Sequence, residues 1–356
     1  MKTVESEYIK DFHFSSATDF LKSISYGGEL YNLLGKNFIY RGHYSDEYLL
    51  LPYALRENVL DQFNLPYESK STASAIISNL EYAQVLNEFS VLQRFYNLSD
   101  INKQWLPHSA RMRNSVVSSY DKVSMFFPEK WLPEEFWEIA ALAQHYGLPT
   151  RLLDWSTNIN TALYFAVRDY IKPLTTHQRL ALQRDMIVNR GKTTAKNMEL
   201  WALDTRVTIA KEDILPLKII RPSYSGNPNL AAQEGVFTLW QIDKPVNRES
   251  GSENVSINIE LVDRTPLDRL LADQLKEDSA LVSPCLYHIT IPQSEAVEIY
   301  SYLERINHTA AKLFPGYGGV SLSIKEGVGF KRKADGNLKS KTNDDSTNDK
   351  TQNVVE

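Results

Sequence analysis

The sequence predicts an α+β fold, with helices and strands segregated along the chain. Helical periodicity dominates the first half, and after the polar stretch 171–197 the apolar period shortens to two. No internal repeat is visible, and the order is not the strand–helix alternation of a doubly wound parallel sheet.

The elements follow in chain order. Residues 16–35 place Phe20, Leu21, Ile24, Leu30 and Leu33 at helical positions, with Gly27-Gly28 interrupting them. Asn37–Arg41 reads as a short strand ending at Gly42, and Leu49–Leu51 with Pro52 leads into a turn near Arg56. Between Ile77 and Tyr96, the residues Leu80, Ala83, Leu86, Phe89 and Leu92 recur every third position and predict a long helix. Residues 105–130 carry no clear period.

Pro133-Glu134-Glu135 is a helix start, because proline needs no donor in a first turn and carboxylates suit the positive dipole end. Phe136, Ala140 and Ala143 form its apolar side, and Gly147 suits a left-handed stop. A short polar turn carrying Arg151, Asp154, Ser156 and Thr157 then leads to a second helix, Asn158–Tyr170, capped by Ser156 or Asn158. A polar turn between two buried helices offers free backbone N–H groups to a ligand. Residues 171–197 read as a helical insertion. Glu199–Asp204, Val236–Ile242, Leu286–Ile291 and Val320–Ile324 read as strands, and Glu295–Ile306 as an amphipathic helix. From Lys331 onward apolar anchors are scarce, which predicts disorder.

Composition narrows the function classes. The formal charge of −5, from 39 basic against 44 acidic residues, gives no long-range pull toward nucleic acid or an anionic membrane. Cys285 is the single cysteine, so an intrachain disulfide and a cysteine zinc cluster are excluded; its apolar neighbours point to a buried structural thiol. The start, MKTVESEYIKDF, has no apolar core of signal-peptide length, and no stretch is long and apolar enough to span a bilayer. A cytoplasmic protein with no membrane partner is the expectation.

Four segments carry the chemistry. In Tyr40-Arg41-Gly42-His43, a guanidinium at a strand end can grip a phosphate or carboxylate, and Gly42 lets a ligand approach the backbone; a structural arginine is the plainer reading. In His145–Trp155, His145 sits at a helix end where the dipole favours imidazolium, or serves as a cap. Arg151 and Asp154 are spaced to pair with each other, and Asp154 is alternatively a general base. Ser156-Thr157 either caps the next helix or hydrogen-bonds a ligand ribose. In Ala231–Thr238, Gln233 and Glu234 open a strand, where a carboxylate could stabilise positive charge at an anomeric carbon or simply be solvated.

These segments resemble the FRG domain family, named for its (F/Y)-R-G signature, here Tyr40-Arg41-Gly42. LPYALR at 51–56, AQHYGLPTRLLDWSTNINTALYFA at 143–166, AAQEGVFT at 231–238 and LFPGYGGVSLSI at 313–324 fit the same pattern. The resemblance runs from about residue 20 to 326, implying one domain over 1–330, interrupted by the insertion at about 171–197 and followed by a disordered tail at 331–356. The family occurs widely in bacteria and phages.

Its layout is also similar to the Arg–Ser–Glu class of ADP-ribosyltransferases. That likeness implies a split antiparallel β-core with surrounding helices and an NAD cleft, without a metal. Arg41, Gly42, His145, Thr150, Arg151, Ser156 and Thr157 would contact the NAD, and Glu234 with Gln233 would be the catalytic pair. The implied activity is NAD-dependent ADP-ribosyl transfer to a protein or nucleic-acid acceptor, or NAD glycohydrolysis, in a toxin or phage-defence role. A non-catalytic module binding a nucleotide or ADP-ribose is the alternative. In that class a glutamate follows a Glu or Gln by two residues; here Glu234 follows Gln233 directly, and neighbours on a strand face opposite sides.

Overall fold

The computed structural model describes residues 2–5, 8–57, 59–60, 80–114, 130–172, 196–211, 213–245, 261–276 and 284–331. Ten strands occur among them: β1 (Lys2–Glu5), β2 (Ile9–His13), β3 (Phe38–His43), β4 (Lys130–Trp131), β5 (Leu152–Ser156), β6 (Asn197–Asp204), β7 (Leu217–Ile220), β8 (Gly235–Trp240), β9 (Ile242–Asp243) and β10 (Leu286–Pro292). Eight form one open sheet in the order β1-β2-β10-β6-β3-β5-β8-β7, while β4 and β9 pair separately. Every pair is antiparallel except β10 with β2. The mixed, largely antiparallel architecture agrees with the α+β expectation.

Helices cover both faces. The Ala17–Ile24, Ile159–Ile171 and Ala296–Arg305 helices bury Phe20, Leu163, Ile299 and Leu303 against Tyr40, Leu200, Ala202 and Ile289. The opposite face packs Ile39, Trp155, Leu203 and Leu286 against the Leu267–Leu275 helix. The Leu80–Ile101 and Trp137–His145 helices make a further core with Leu152, Phe237 and Leu239.

Local chemistry sets several boundaries. The helix predicted over 16–35 is broken, as expected, at Gly27-Gly28, into Ala17–Ile24 and Glu29–Leu33. Gly147, at φ 86, turns the chain out of the Trp137–His145 helix in the left-handed conformation. The Asn158 side chain accepts from the Asn160 N–H and caps the Ile159–Ile171 helix.

Four expectations are corrected. The turn expected between the two central helices is strand β5, buried on both faces except at Asp154 and paired along its length with β8. Residues 320–324, expected as a strand, lie inside a helix over 317–331. The long helix buries Phe89 and Leu92 of the expected stripe and packs Leu86 partly against the core, but Leu80 is exposed and Gln84, Val85 and Glu88 turn inward, Glu88 to pair with Arg151. Arg151 does not pair with Asp154. The insertion expected over 171–197 lies largely outside the described residues, which resume at 196, and so does the tail after Lys331. Cys285 is buried, and burial raises its pKa to about 12, as befits an inert thiol. No described helix is long and apolar enough to cross a membrane.

Candidate functional site

The sheet is weakest in its middle. β3 pairs with β6 over six residues but meets β5 at a single position, Tyr40 opposite Ser156. The two halves diverge from that point, and a cleft of about 760 Å³ opens beside it. Strand alternation distributes the signature: Tyr40 is buried on the helical side, Arg41 projects from the opposite face, and Gly42 returns to the helical side. A Cβ at Gly42 would lie 1.9 Å from the Ala162 carbonyl oxygen. The glycine lets β3 pass under the Ile159–Ile171 helix, a packing requirement beside its place in the cleft lining.

Arg41 bridges the seam. Its Nη1 donates to the Asp154 carbonyl at 2.7 Å and to Oδ2 at 3.2 Å, and its Nε donates to His43 Nε2 at 2.9 Å. Nη2 has no partner among the described residues. Burial, only partly offset by Asp154, lowers the Arg41 pKa. Gln144 Nε2 donates to the other Asp154 oxygen, and Thr150 Oγ1 donates to Gln144 Oε1, fixing the carboxylate from the helix side.

Behind Arg41 a buried polar chain crosses four strands. His43 accepts from Arg41, so its proton sits on Nδ1, 3.4 Å from Glu199 Oε2. Burial, reinforced by Arg41 and outweighing Glu199, lowers the His43 pKa to about 4 and keeps the imidazole neutral. Glu199 also accepts from Trp201 Nε1 at 3.1 Å and lies 2.8 Å from His288 Nε2. Burial would raise its pKa, but hydrogen bonds from His288 and His43 outweigh that and hold it at about 2. His288 stacks on Trp201 and places Nδ1 2.9 Å from Asp11. Its burial is overcome by Glu199 and Asp11, which raise its pKa.

The structure brings some of the sequence-derived candidates together and separates others. Arg41, Gly42, His145, Ser156 and Gln233 line the cleft. Ser156 Oγ donates to the Gln233 carbonyl at 2.7 Å and accepts from the Asn158 N–H at 3.0 Å, so it ties the two segments together. Burial lowers the His145 pKa, with Asp154 opposing, the reverse of what the helix end favours.

Thr150, Arg151, Thr157 and Glu234 do not line it. Thr150 is buried and spends its hydroxyl on Gln144 and on the Leu152 N–H. Arg151 donates through Nε to both Glu88 oxygens at 3.1 and 3.0 Å and through Nη2 to Glu81 at 2.5 Å. Glu88 also receives Trp131 Nε1 and Gln84 Nε2, so this is a closed structural ion pair.

Gln233 and Glu234 precede β8 rather than belonging to it. Gln233 ends the Pro228–Ala232 helix and Glu234 takes a left-handed φ of 49°. The Glu234 carboxylate accepts from Asn158 Nδ2 at 2.8 Å and from Thr157 Oγ1 at 3.3 Å. The Gln233 amide donates to the Leu313 carbonyl at 3.1 Å.

Sequence reading missed His43 as a support for Arg41, together with Glu199, His288 and Arg168. Each stands alone on its own element, and only the fold assembles them. The cleft also carries Arg56, Arg168 and Lys172 against Glu47 and Asp169, with Phe165 and Phe314 as apolar surface. The cavity has the size of a small-molecule site, with charged and apolar side chains sharing its lining. Among the described residues no cluster of three or more His, Cys, Asp or Glu could hold a metal ion.

Comparison with known families assigns the central part of this chain. The FRG domain model matches residues 36–173, from just before β3 to just past the Ile159–Ile171 helix. Residues 36–173 therefore carry an FRG domain, and this matched segment supplies Arg41, Gln144, Asp154, Ser156 and Arg168 to the cleft. No curated protein and no solved structure matches it.

Proposed function

We propose that the cleft binds the ADP-ribose portion of a nucleotide such as NAD, and that the domain acts as a binding module. One observation carries this reading: Arg41, Ser156 and Gln233, far apart in sequence, line one cleft at the seam of the sheet. Arg41 Nη2 is left to donate to a phosphate or ribose oxygen, and Gln233 rather than Glu234 meets the ligand. The seam between β3 and β5 is also what supports likening the core to the split sheet of ADP-ribosyltransferases. Calorimetry with NAD and ADP-ribose should show binding to the wild type and at least a tenfold loss in Arg41→Ala, the scale of one charge-assisted hydrogen bond. Indifference of the wild type to both ligands sinks the reading.

A second reading, NAD glycohydrolysis or ADP-ribosyl transfer to a protein or nucleic-acid acceptor, draws on Glu234. Asn158 and Thr157 hold its carboxylate beside Gln233 in a left-handed turn. The binding-module reading expects wild type and Glu234→Gln to release nicotinamide from NAD at the same background rate. Release by the wild type that disappears in Glu234→Gln would move the assignment to catalysis.

A further inference from the structure

Arg41, Arg151 and Arg168 differ in what remains of their hydrogen-bonding capacity. Arg151 is closed by two glutamates. Arg41 has given Nε and Nη1 to the protein. The Arg168 side chain, which also lines the cleft, makes no hydrogen bond among the described residues, and its buried Nε is unsatisfied. Its Cζ lies 5.9, 5.7 and 5.6 Å from the Tyr164, Phe165 and Phe314 rings. Rings attract the cation through their faces but offer no in-plane acceptor, so the N–H edges of the guanidinium stay unused.

We propose that Arg168 is the principal oxyanion-binding residue of the cleft, gripping a phosphate or pyrophosphate through its guanidinium edge, with Lys172 one turn further along the same helix. The proposal deepens the nucleotide reading and rests on it for the identity of the whole ligand, though not for the anion.

The alternative is a structural arginine serving its nearest buried acid. Glu326, fully buried on the helix over 317–331, feels the Arg168 charge, yet its Oε1 is taken by the Tyr164 hydroxyl at 2.6 Å and its Oε2 has no partner. Two buried groups that leave each other unsatisfied do not make a structural pair, and an unsatisfied buried donor calls for a partner. Burial raises the Glu326 pKa, outweighing Tyr164 and Arg168, which weakens it further as a counter-ion. Among the described residues Lys172 pairs with Asp169 at 2.5 Å, with both side chains 40% or more exposed, a weak contact that an anion can compete for. A guanidinium matches a phosphate through two parallel N–H···O bonds, which an ammonium cannot reproduce.

The test is calorimetry of the full chain with ADP-ribose, inorganic pyrophosphate and adenosine. Arg168→Gln should weaken ADP-ribose and pyrophosphate about tenfold or more, leave adenosine unchanged and flatten the salt dependence. Arg168→Lys keeps the charge and loses the fork, and should weaken both anions severalfold; it decides the matter if Arg168→Gln does not fold. Wild-type affinity for both anions in Arg168→Lys and in folded Arg168→Gln overturns the proposal, even where Arg41→Ala abolishes ADP-ribose binding. Pyrophosphate binding that depends on Arg168, with ADP-ribose ignored, keeps the Arg168 site and removes the nucleotide reading. A wild type that binds neither anion removes both.

Discussion

Arg41 and Arg151 stand in the two most distinctive blocks of the chain, and both are largely inside, with 13% and 3% of the side chain exposed. Their surroundings differ in one respect. Arg151 faces the largely buried Glu81 and the buried Glu88, and Glu88 is hydrogen-bonded in turn by Gln84 and Trp131. Arg41 faces a backbone carbonyl, a neutral imidazole and Asp154, whose side chain is 58% exposed. An arginine in a distinctive motif is thus structural or ligand-facing according to how many donors the protein consumes and whether its counter-ion is shut away from water.

The comparison breaks most visibly under truncation. Arg151→Met leaves Glu88 buried and without its cation, and removing one partner of a buried pair costs about 3–5 kcal/mol. Arg41→Met leaves Asp154 free to be solvated and should cost about 1 kcal/mol or less. Urea unfolding of the two variants measures both. Equal losses would mean that Arg41 is a structural residue too, and would undercut its assignment to the cleft.

Gly42→Ala gives the next largest effect and separates two readings of the signature. The new methyl meets the Ala162 carbonyl, which is backbone and cannot rotate away, so β3 and the Ile159–Ile171 helix must part. Overpacking of this kind costs about 1–3 kcal/mol. The expected outcome is a lowered urea midpoint. Unchanged stability with lost ligand binding would restore the idea that Gly42 exists for the ligand.

Much of this site is legible in the sequence, but in pieces. Tyr40-Arg41-Gly42, Ser156 and Gln233 stood out by residue type, and the helix stop at Gly147 and the cap at Asn158 followed from backbone chemistry. β5 stayed hidden because Leu152, Leu153, Trp155 and Ser156 are all buried, and a strand covered on both faces shows no alternation. Residues 320–324 alternate like a strand. Their helical period emerges only further on, where Leu322, Glu326 and Phe330 turn inward together. Glu88 sat on the side that looked polar, since nothing local says that a carboxylate will be buried by an arginine 63 residues away. The chain from His288 to Arg41 draws one or two side chains from each strand, so no spacing in the sequence could announce it.

That chain yields the smallest net effect expected, because its two histidines titrate in opposite senses. His43 is held at about 4 in the folded protein, against about 6.5 for a free histidine. Its contribution is complete above about pH 6.5 and is lost as the pH falls toward 4. Glu199, held at about 2, adds to the loss on the acid side below the ordinary glutamate range. His288 lies above its ordinary value between Glu199 and Asp11, so its contribution is complete below about pH 6.5 and fades as the pH rises through its folded pKa. Stability should therefore peak near pH 6.5. His43→Gln should flatten the acid limb and His288→Gln the alkaline limb in unfolding measured from pH 4 to 9. Protonating His43 also removes the acceptor that orients Arg41, so ligand affinity should fall along the acid limb while the Arg151 cluster stays intact. An acid limb insensitive to His43→Gln would show that Arg41 does not depend on the polar chain behind it.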